Sequence, residues 1–332
     1  MSKSENEFLV AVNGLKVWFP VRSGLLRKSN TFVHAVDGVK LDIRSREIFC
    51  LAGESGSGKS TTGLAMLRLL NPTEGTVIFR GEEILTLKGK ELKKIRRWMQ
   101  MIFQDPYESL NPRMTVYDAV AEPLDIHGLT KSEDEKRGRV VELLHSVELT
   151  PAENFIHKFP HELSGGQRQR VAIAAALALN PEFLVADEPV SMLDLSIRAE
   201  ILNLLLSLRD KLGLTILFIT HDLSTAYHIS DRIAIMYLGK VMETGSAEDV
   251  INNALHPYTK ALIAAIPGTE SKDNLWKKIT KAEIPSAIKI PSGCRFHDRC
   301  PYTTSKCSDV EPELAELNPG HFAACHYAGQ IQ

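Results

Sequence analysis

The stretch GESGSGKS, residues 53–60, carries the most specific chemistry in this chain. It fits the pattern G-x-x-x-x-G-K-[ST], in which glycines let the backbone wrap so that successive N–H groups face phosphate oxygens. Lys59 is then placed to reach the β- and γ-phosphates of a nucleotide, and Ser60 to ligate Mg²⁺. Glu54, Ser55, Ser57 and Thr61 complete the phosphate-facing run around Gly53, Gly56 and Gly58. A second chemical stretch is FLVADEP, 183–189, an apolar run ending in two carboxylates, Asp187 and Glu188. Beside a phosphate loop, Asp187 suits the Mg²⁺ shell and Glu188 suits orienting a water in line with the γ-phosphate. A third is the tail. Only Cys50 lies in the first 290 residues, whereas Cys294, Cys300, Cys307 and Cys325 fall within about 30 residues of each other, with gaps of 5, 6 and 17.

These groups need elements to hold them. EIFCLAG (47–53), FLVAD (183–187), LTILFIT (214–220) and RIAIMYL (232–238) read as buried strands, because Leu, Val and Ile run on with little alternation. KSTTGLAMLRLL (59–70) and SIRAEILNLLLSLRDKLG (196–213) have helical spacing, the second ending at a glycine. Alternating strands and helices predict an α/β sheet that is largely parallel. Residues 105–165 read as a helical insertion without a clear strand. After Pro267 the chain turns polar and Lys-rich, which reads as an extended linker to the cysteines. The chain has 332 residues, enough for about two structural units. Its net charge is −2, so bulk charge gives no sign of nucleic-acid or anionic-membrane binding. The longest apolar run spans 171–179, far short of the ~20 residues that cross a bilayer. The apolar run at 8–12 is too short for a signal-peptide core, so the expected location is the cytosol, where disulfides are rare.

LSGGQRQRVAIAAALALNP (163–181) resembles the signature of ATP-binding cassette (ABC) ATPases. The remaining motifs of that family follow in order: the loop 53–60, Gln104 in MIFQDP, LSGGQ at 163–167, Asp187-Glu188, SMLD at 191–194 and His221 in ITHD. The resemblance covers about residues 8–265. It implies a P-loop NTPase of the ABC type, with a RecA-like core, an antiparallel β subdomain and a helical subdomain. In this reading residues 1–267 form the ATPase domain, with 105–165 as its helical part, and 268–332 a small cysteine-rich extension. The resemblance also implies roles. Ser164, Gly165, Gly166 and Gln167 face the γ-phosphate held by a second cassette, and Asp194 lies in the loop linking the two sites. Gln104 offers its amide to Mg²⁺ and the attacking water, and His221 holds Glu188 and the water in register. Adenine stacks on an aromatic near the start of the chain, which falls on Phe19, with Trp18 and Phe32 as rivals. SMLD departs from the family's usual SALD only in the size of one apolar residue, Met192.

HPYTKALIAAIP (256–267) resembles the segment that marks the oligopeptide/dipeptide branch of ABC importers, in which a cysteine-rich stretch often follows. The expected function is therefore an ATP-hydrolysing subunit that powers a membrane importer, with di- or oligopeptides as cargo and an oligosaccharide or a metal chelate as alternatives. Expected partners are a second ATPase subunit, identical or not, two transmembrane permease subunits and, indirectly, an extracytoplasmic solute-binding protein. This places the chain on the cytoplasmic face of the membrane, held there through the permeases. The competing class is a soluble ABC ATPase acting on ribosomes or nucleic acid. Four thiolates suit zinc or an iron–sulfur cluster. Structural zinc prefers tight C-x2–4-C pairs, which this tail lacks, and longer uneven gaps suit a larger cubane. The resemblance also points to [4Fe–4S]. Free or oxidised thiols are the remaining reading, and His297, His321 and His326 are potential substitute ligands. The expected role is a structural cross-link, with redox sensing as the alternative. Cys50 reads as a small apolar core residue.

Overall fold

The computed structural model describes residues 8–21, 31–105, 109–266 and 287–330. Residues 22–30, most of the linker and the expected boundary at 267/268 lie outside the described residues. The chain divides into two compact units, Met1–Thr86 with Phe218–Gln332, and Leu87–Leu217.

In chain order, the first unit opens with β1 (Phe8–Pro20), β2 (Phe32–Arg44), β3 (Ile48–Ala52), α1 (Lys59–Met66), β4 (Glu74–Phe79) and β5 (Glu82–Glu83). The second unit holds α2 (Gly89–Arg96), β6 (Met99–Ile102), α3 (Val116–His127), α4 (Glu133–Ser146), α5 (Gly165–Leu177), β7 (Phe183–Asp187) and α6 (Leu195–Leu212). Strand β8 (Thr215–Thr220) carries the chain back into the first unit. There follow α7 (Leu223–Ile229), β9 (Arg232–Tyr237), β10 (Lys240–Ser246), α8 (Ala247–Asn252), α9 (Pro257–Ala264), α10 (Ser305–Asp309), β11 (Ala315–Asn318) and β12 (His321–Ala323).

The first unit contains two sheets. One is antiparallel, in the order β2-β1-β4-β5. Val10, Val12, Leu15 and Val17 of β1 are buried, which is the alternation of a strand with one covered face. In the other, β3 pairs with β9 in parallel; β3 is apolar along its length, and β9 is apolar and buried after Arg232. From β9 onward the pairing turns antiparallel through β10, β12 and β11. The β9–β10 turn has positive φ at both Leu238 (43°) and Gly239 (80°), the geometry that matches a two-residue hairpin to strand twist. The last two strands come from the tail, where the sequence predicts only linker and cysteines. Pro319-Gly320, with Gly320 at φ 73°, supplies the turn between them. The largely parallel sheet foreseen from the run of apolar strands therefore holds for β3–β9 and, in the second unit, for β6–β7, but not for this edge.

In the second unit, α3 and α4 occupy the stretch read as helical. Thr115 and Asp118 form a capping box at the start of α3, and Gly128 at φ 60° closes it. In the first unit α1 stops at Met66, four residues short of the helical pattern. Arg68 takes φ 51°, and the Leu69 N–H reaches back to the Leu64 carbonyl at 2.9 Å, a left-handed closure that ends the helix.

Candidate active site

In the first unit the phosphate loop leaves β3, whose five residues are all buried. Two glycines are required by close approach. A Cβ on Gly53 (φ 147°) would stand 2.2 Å from the Met236 carbonyl oxygen, and one on Gly58 (φ 102°) would stand 2.1 Å from that of Ala35. Any larger residue must move backbone. Lys59 is buried, and its Nζ donates to the carbonyls of Gly53 at 2.8 Å and Glu54 at 2.9 Å. The ammonium is thus fixed over the loop. At the start of α1, Gly58 gives no side-chain cap and the first turn has no acidic residue. The helix N-terminus keeps its partial positive charge for an anion. Ser60 and Thr61 are half-buried on this turn, and Thr62 bonds the Gly58 carbonyl at 2.9 Å.

His221 follows β8 and is exposed. Beside it Asp222 caps α7, accepting from the backbone N–H of Ser224 at 2.9 Å. Phe19 lies near the end of β1 and is 39% exposed, as is Phe32. Trp18 is committed elsewhere: its ring stacks on His34 at 4.3 Å and its Nε1 donates to Asp37 at 3.1 Å. Of the three candidates, Phe19 and Phe32 are the more exposed, and the Phe32 ring lies 6.4 Å from that of Trp18.

The second unit gathers the other motifs. Asp187 ends the buried strand β7 and is itself buried, whereas Glu188 is half-exposed. Gln104 Nε2 donates to Glu188 Oε2 at 3.2 Å, so two residues 84 apart in sequence meet. Glu188 takes φ 44°, a left-handed conformation that costs a non-glycine residue about 1–3 kcal/mol. Ser191 bonds the Glu188 carbonyl through both its N–H (3.1 Å) and its hydroxyl (3.0 Å), pinning the strained turn.

The signature opens α5. Ser164 and Gln167 form a capping box, with Gln167 N–H to Ser164 Oγ at 3.3 Å and Ser164 N–H to Gln167 Oε1 at 3.1 Å. Ser164 is exposed, and Gly166 is buried with room for no more than hydrogen, since a Cβ there would lie 2.6 Å from Ile197. Asp194 caps α6, accepting from Ile197 N–H at 3.2 Å and from the Ser196 hydroxyl at 3.1 Å. That structural duty was not visible in the motif. Next to it Met192 and Leu195 are 63% and 82% exposed, an apolar pair in water.

Back in the first unit, Cys294, Cys300, Cys307 and Cys325 line one cavity of about 20 Å³, together with His256, His297 and His326. None is in a disulfide. Burial pushes the Cys294 thiol up to about 12 and Cys300 up to about 11, and neighbouring cysteine charge adds to both. Among the described residues, no group of three or more His, Cys, Asp or Glu stands in metal-binding geometry. His321 is drawn away from the thiols: its Nε2 lies 2.7 Å from Glu243, and both are buried. Cys50 is buried in β3, and burial raises its thiol far above the ordinary range, as a core residue requires.

No helix among the described residues is long and apolar enough to cross a membrane. Residues 36–191 match the family described as "ABC transporter", and 242–307 match "Oligopeptide/dipeptide transporter, C-terminal region". The chain is 45% identical over 329 residues to the "Oligopeptide transport ATP-binding protein AppF" of Bacillus subtilis (strain 168), covering 98% of this chain and 99% of that one. It is 51% identical over 296 residues to YkfD of the same organism, covering 89% of both. Among solved structures it is similar to the dimeric ATP-binding cassette MJ0796 bound to ADP and Pi, with TM-score 0.63 and 34% identity over 72% of this chain and 98% of that one. The order of the nucleotide motifs and near-full-length identity agree: the chain belongs to the oligopeptide/dipeptide branch of the ABC transporter ATP-binding proteins.

Proposed function

We propose that this ABC ATPase powers a membrane importer whose cargo is a di- or oligopeptide. Two features occurring on one chain carry that reading, a complete set of nucleotide motifs and a C-terminal region of the oligopeptide/dipeptide type. The work is done by two cassettes that close around ATP, one giving residues 53–61 and the other Ser164–Gln167. The exposed Met192 and Leu195, beside Asp194, support an apolar contact with a second cassette here. Phe19 stacks on the adenine. Lys59 and the N–H groups of the loop neutralise the β- and γ-phosphates. Ser60, Gln104 and Asp187 are the residues that would supply oxygen donors to Mg²⁺, which would neutralise phosphate charge. Glu188 accepts a proton from water as its oxygen bonds the γ-phosphorus, the bond to the β–γ bridging oxygen breaks, and ADP leaves. Gln104 and His221 hold the water and Glu188 in register.

The ATPase domain runs to 267, and residues 268–332 form the extension. The chain works at the cytoplasmic face of the membrane through two permease subunits, which a secreted binding protein supplies. Co-purification from detergent-solubilised membranes is expected to recover two multi-span subunits, and peptide with its binding protein is expected to stimulate ATP turnover in vesicles. Recovery without any membrane subunit sinks the importer assignment, and stimulation by an oligosaccharide or a metal chelate instead of peptide changes the cargo.

Four cysteines line one cavity, although they do not stand in metal-binding geometry, and burial raises the thiols of Cys294 and Cys300, so that thiolates there are disfavoured unless a cation offsets the charge. A [4Fe–4S] centre held by Cys294, Cys300, Cys307 and Cys325 is the reading that suits the uneven spacing, as a cross-link for a segment with little core of its own. Protein purified without oxygen is expected to be brown, with iron and acid-labile sulfide. Colourless protein with one zinc per chain replaces the cluster by zinc.

A further inference from the structure

Glu54, the second residue of the phosphate loop, is held at both ends by residues far along the chain. Its backbone N–H donates to the Tyr258 hydroxyl at 3.0 Å. Its carboxylate receives two parallel bonds from Arg299, Nη1 to Oε2 at 2.8 Å and Nη2 to Oε1 at 2.9 Å. The Arg299 side chain is 3% exposed and that of Glu54 17%, so the guanidinium is withdrawn from water, and the forked geometry fixes direction as well as distance. The guanidinium also lies over the rings of Tyr237 and Phe296, at 5.5 and 5.6 Å. Phe296 packs on Tyr258 at 5.2 Å, closing a bracket beneath the loop.

The two holders come from features with no part in the nucleotide chemistry above. Tyr258 belongs to His256-Pro257-Tyr258 at the head of α9, where burial pushes His256 down to about 4. The neutral ring's Nδ1 accepts the Tyr258 N–H at 3.0 Å. Arg299 ends the short 3-10 turn His297–Arg299, between Cys294 and Cys300. Glu54 in turn organises the loop through its carbonyl, which accepts from Lys59 Nζ at 2.9 Å and from Ser57 N–H at 3.2 Å. A loop with three glycines at positive φ loses much backbone freedom when it is ordered. An external clamp lowers that cost at the moment of binding.

We infer that Arg299 is a positioning residue for the phosphate loop: by clamping Glu54 it holds the loop in its phosphate-receiving shape and couples the cysteine segment to nucleotide affinity. The inference rests on the ATPase assignment of residues 53–60. Linkage makes the coupling reciprocal, so nucleotide must also stabilise the segment that carries Arg299.

The test uses the full chain with a fluorescent ATP analogue and Mg²⁺. Arg299→Ala is expected to raise the nucleotide Kd by about fivefold or more, the low end of typical coupling between sites. KM carries the change and kcat does not. Adding Glu54→Gln to Arg299→Ala is expected to cost no more than the worse single change, because both act through one bond pair. Nucleotide is expected to slow amide exchange over residues 287–330 in the wild type and not in Arg299→Ala. An unchanged Kd in folded Arg299→Ala protein overturns the inference, and so does additivity of the two changes. Where Arg299→Ala fails to fold, Glu54→Gln alone decides it, an unchanged Kd again being fatal. Failure of the ATPase assignment looks different, since wild-type protein would then bind no nucleotide.

Discussion

Glu188→Gln is expected to lower ATP turnover by about 10²- to 10⁴-fold, the usual worth of a general base, while nucleotide still binds. The change is nearly isosteric, so the strained turn at φ 44° and the Ser191 bonds to the Glu188 carbonyl stay in place. What disappears is the carboxylate's capacity to take a proton from water. Gln104 Nε2 donates to this same carboxylate, which fixes its orientation in the wild type. With an amide at 188 the side-chain oxygen still accepts from Gln104 Nε2, so the contact is kept and the phosphate contacts elsewhere are untouched. Single-turnover hydrolysis and gel filtration in ATP read the two halves of the prediction: product formation stalls, and a dimer persists because closure is no longer followed by hydrolysis. Turnover at the wild-type rate moves the base elsewhere. The backbone supplies an independent reason for choosing this residue, because strain at a half-exposed carboxylate persists only where the surroundings enforce it.

Local chemistry made much of this site legible from the residues. A phosphate loop is a backbone device, and its glycines, lysine and serine lie within eight residues of each other. Gln104 and Glu188 are 84 residues apart, and no periodicity joins them. The four cysteines were visible as a group because tails of this composition seldom carry thiols. Elsewhere tertiary context decided. Helical spacing ran on to residue 70, but a left-handed Arg68 ended the helix sooner, and apolar periodicity carries no mark of such a closure. Strands β11 and β12 are four and three residues long, too short for alternation to register. Pro319-Gly320 was the available turn signal. The bracket around Glu54 was out of reach, since Tyr258 and Arg299 stand 204 and 245 residues away and each reads alone as an ordinary buried or charged residue.

Glu243→Ala is expected to cost about 3–5 kcal/mol of stability, the range for breaking a buried charged network by removing one partner. Glu243 has no exposed surface, and its carboxylate takes three donors: Leu255 N–H at 2.8 Å, His256 N–H at 2.9 Å and His321 Nε2 at 2.7 Å. Alanine leaves two backbone donors and an imidazole buried without an acceptor, each costing about 1–3 kcal/mol when water does not reach it. The position also matters for how the tail is attached. In β10 Glu243 pairs with Ala323 of β12, so the same residue fastens the tail's last strand through its backbone and His321 through its side chain. The loss should therefore appear first in residues 315–323, as faster amide exchange at denaturant concentrations where α3 and α4 remain protected. Glu243→Gln, which keeps an acceptor oxygen but turns one donor against an amide, is expected to fall between. The denaturant midpoint at unchanged slope measures the size of the effect. A shift below about 1 kcal/mol would mean that water replaces the carboxylate, and that backbone pairing between β10 and β12 suffices to hold the tail in place.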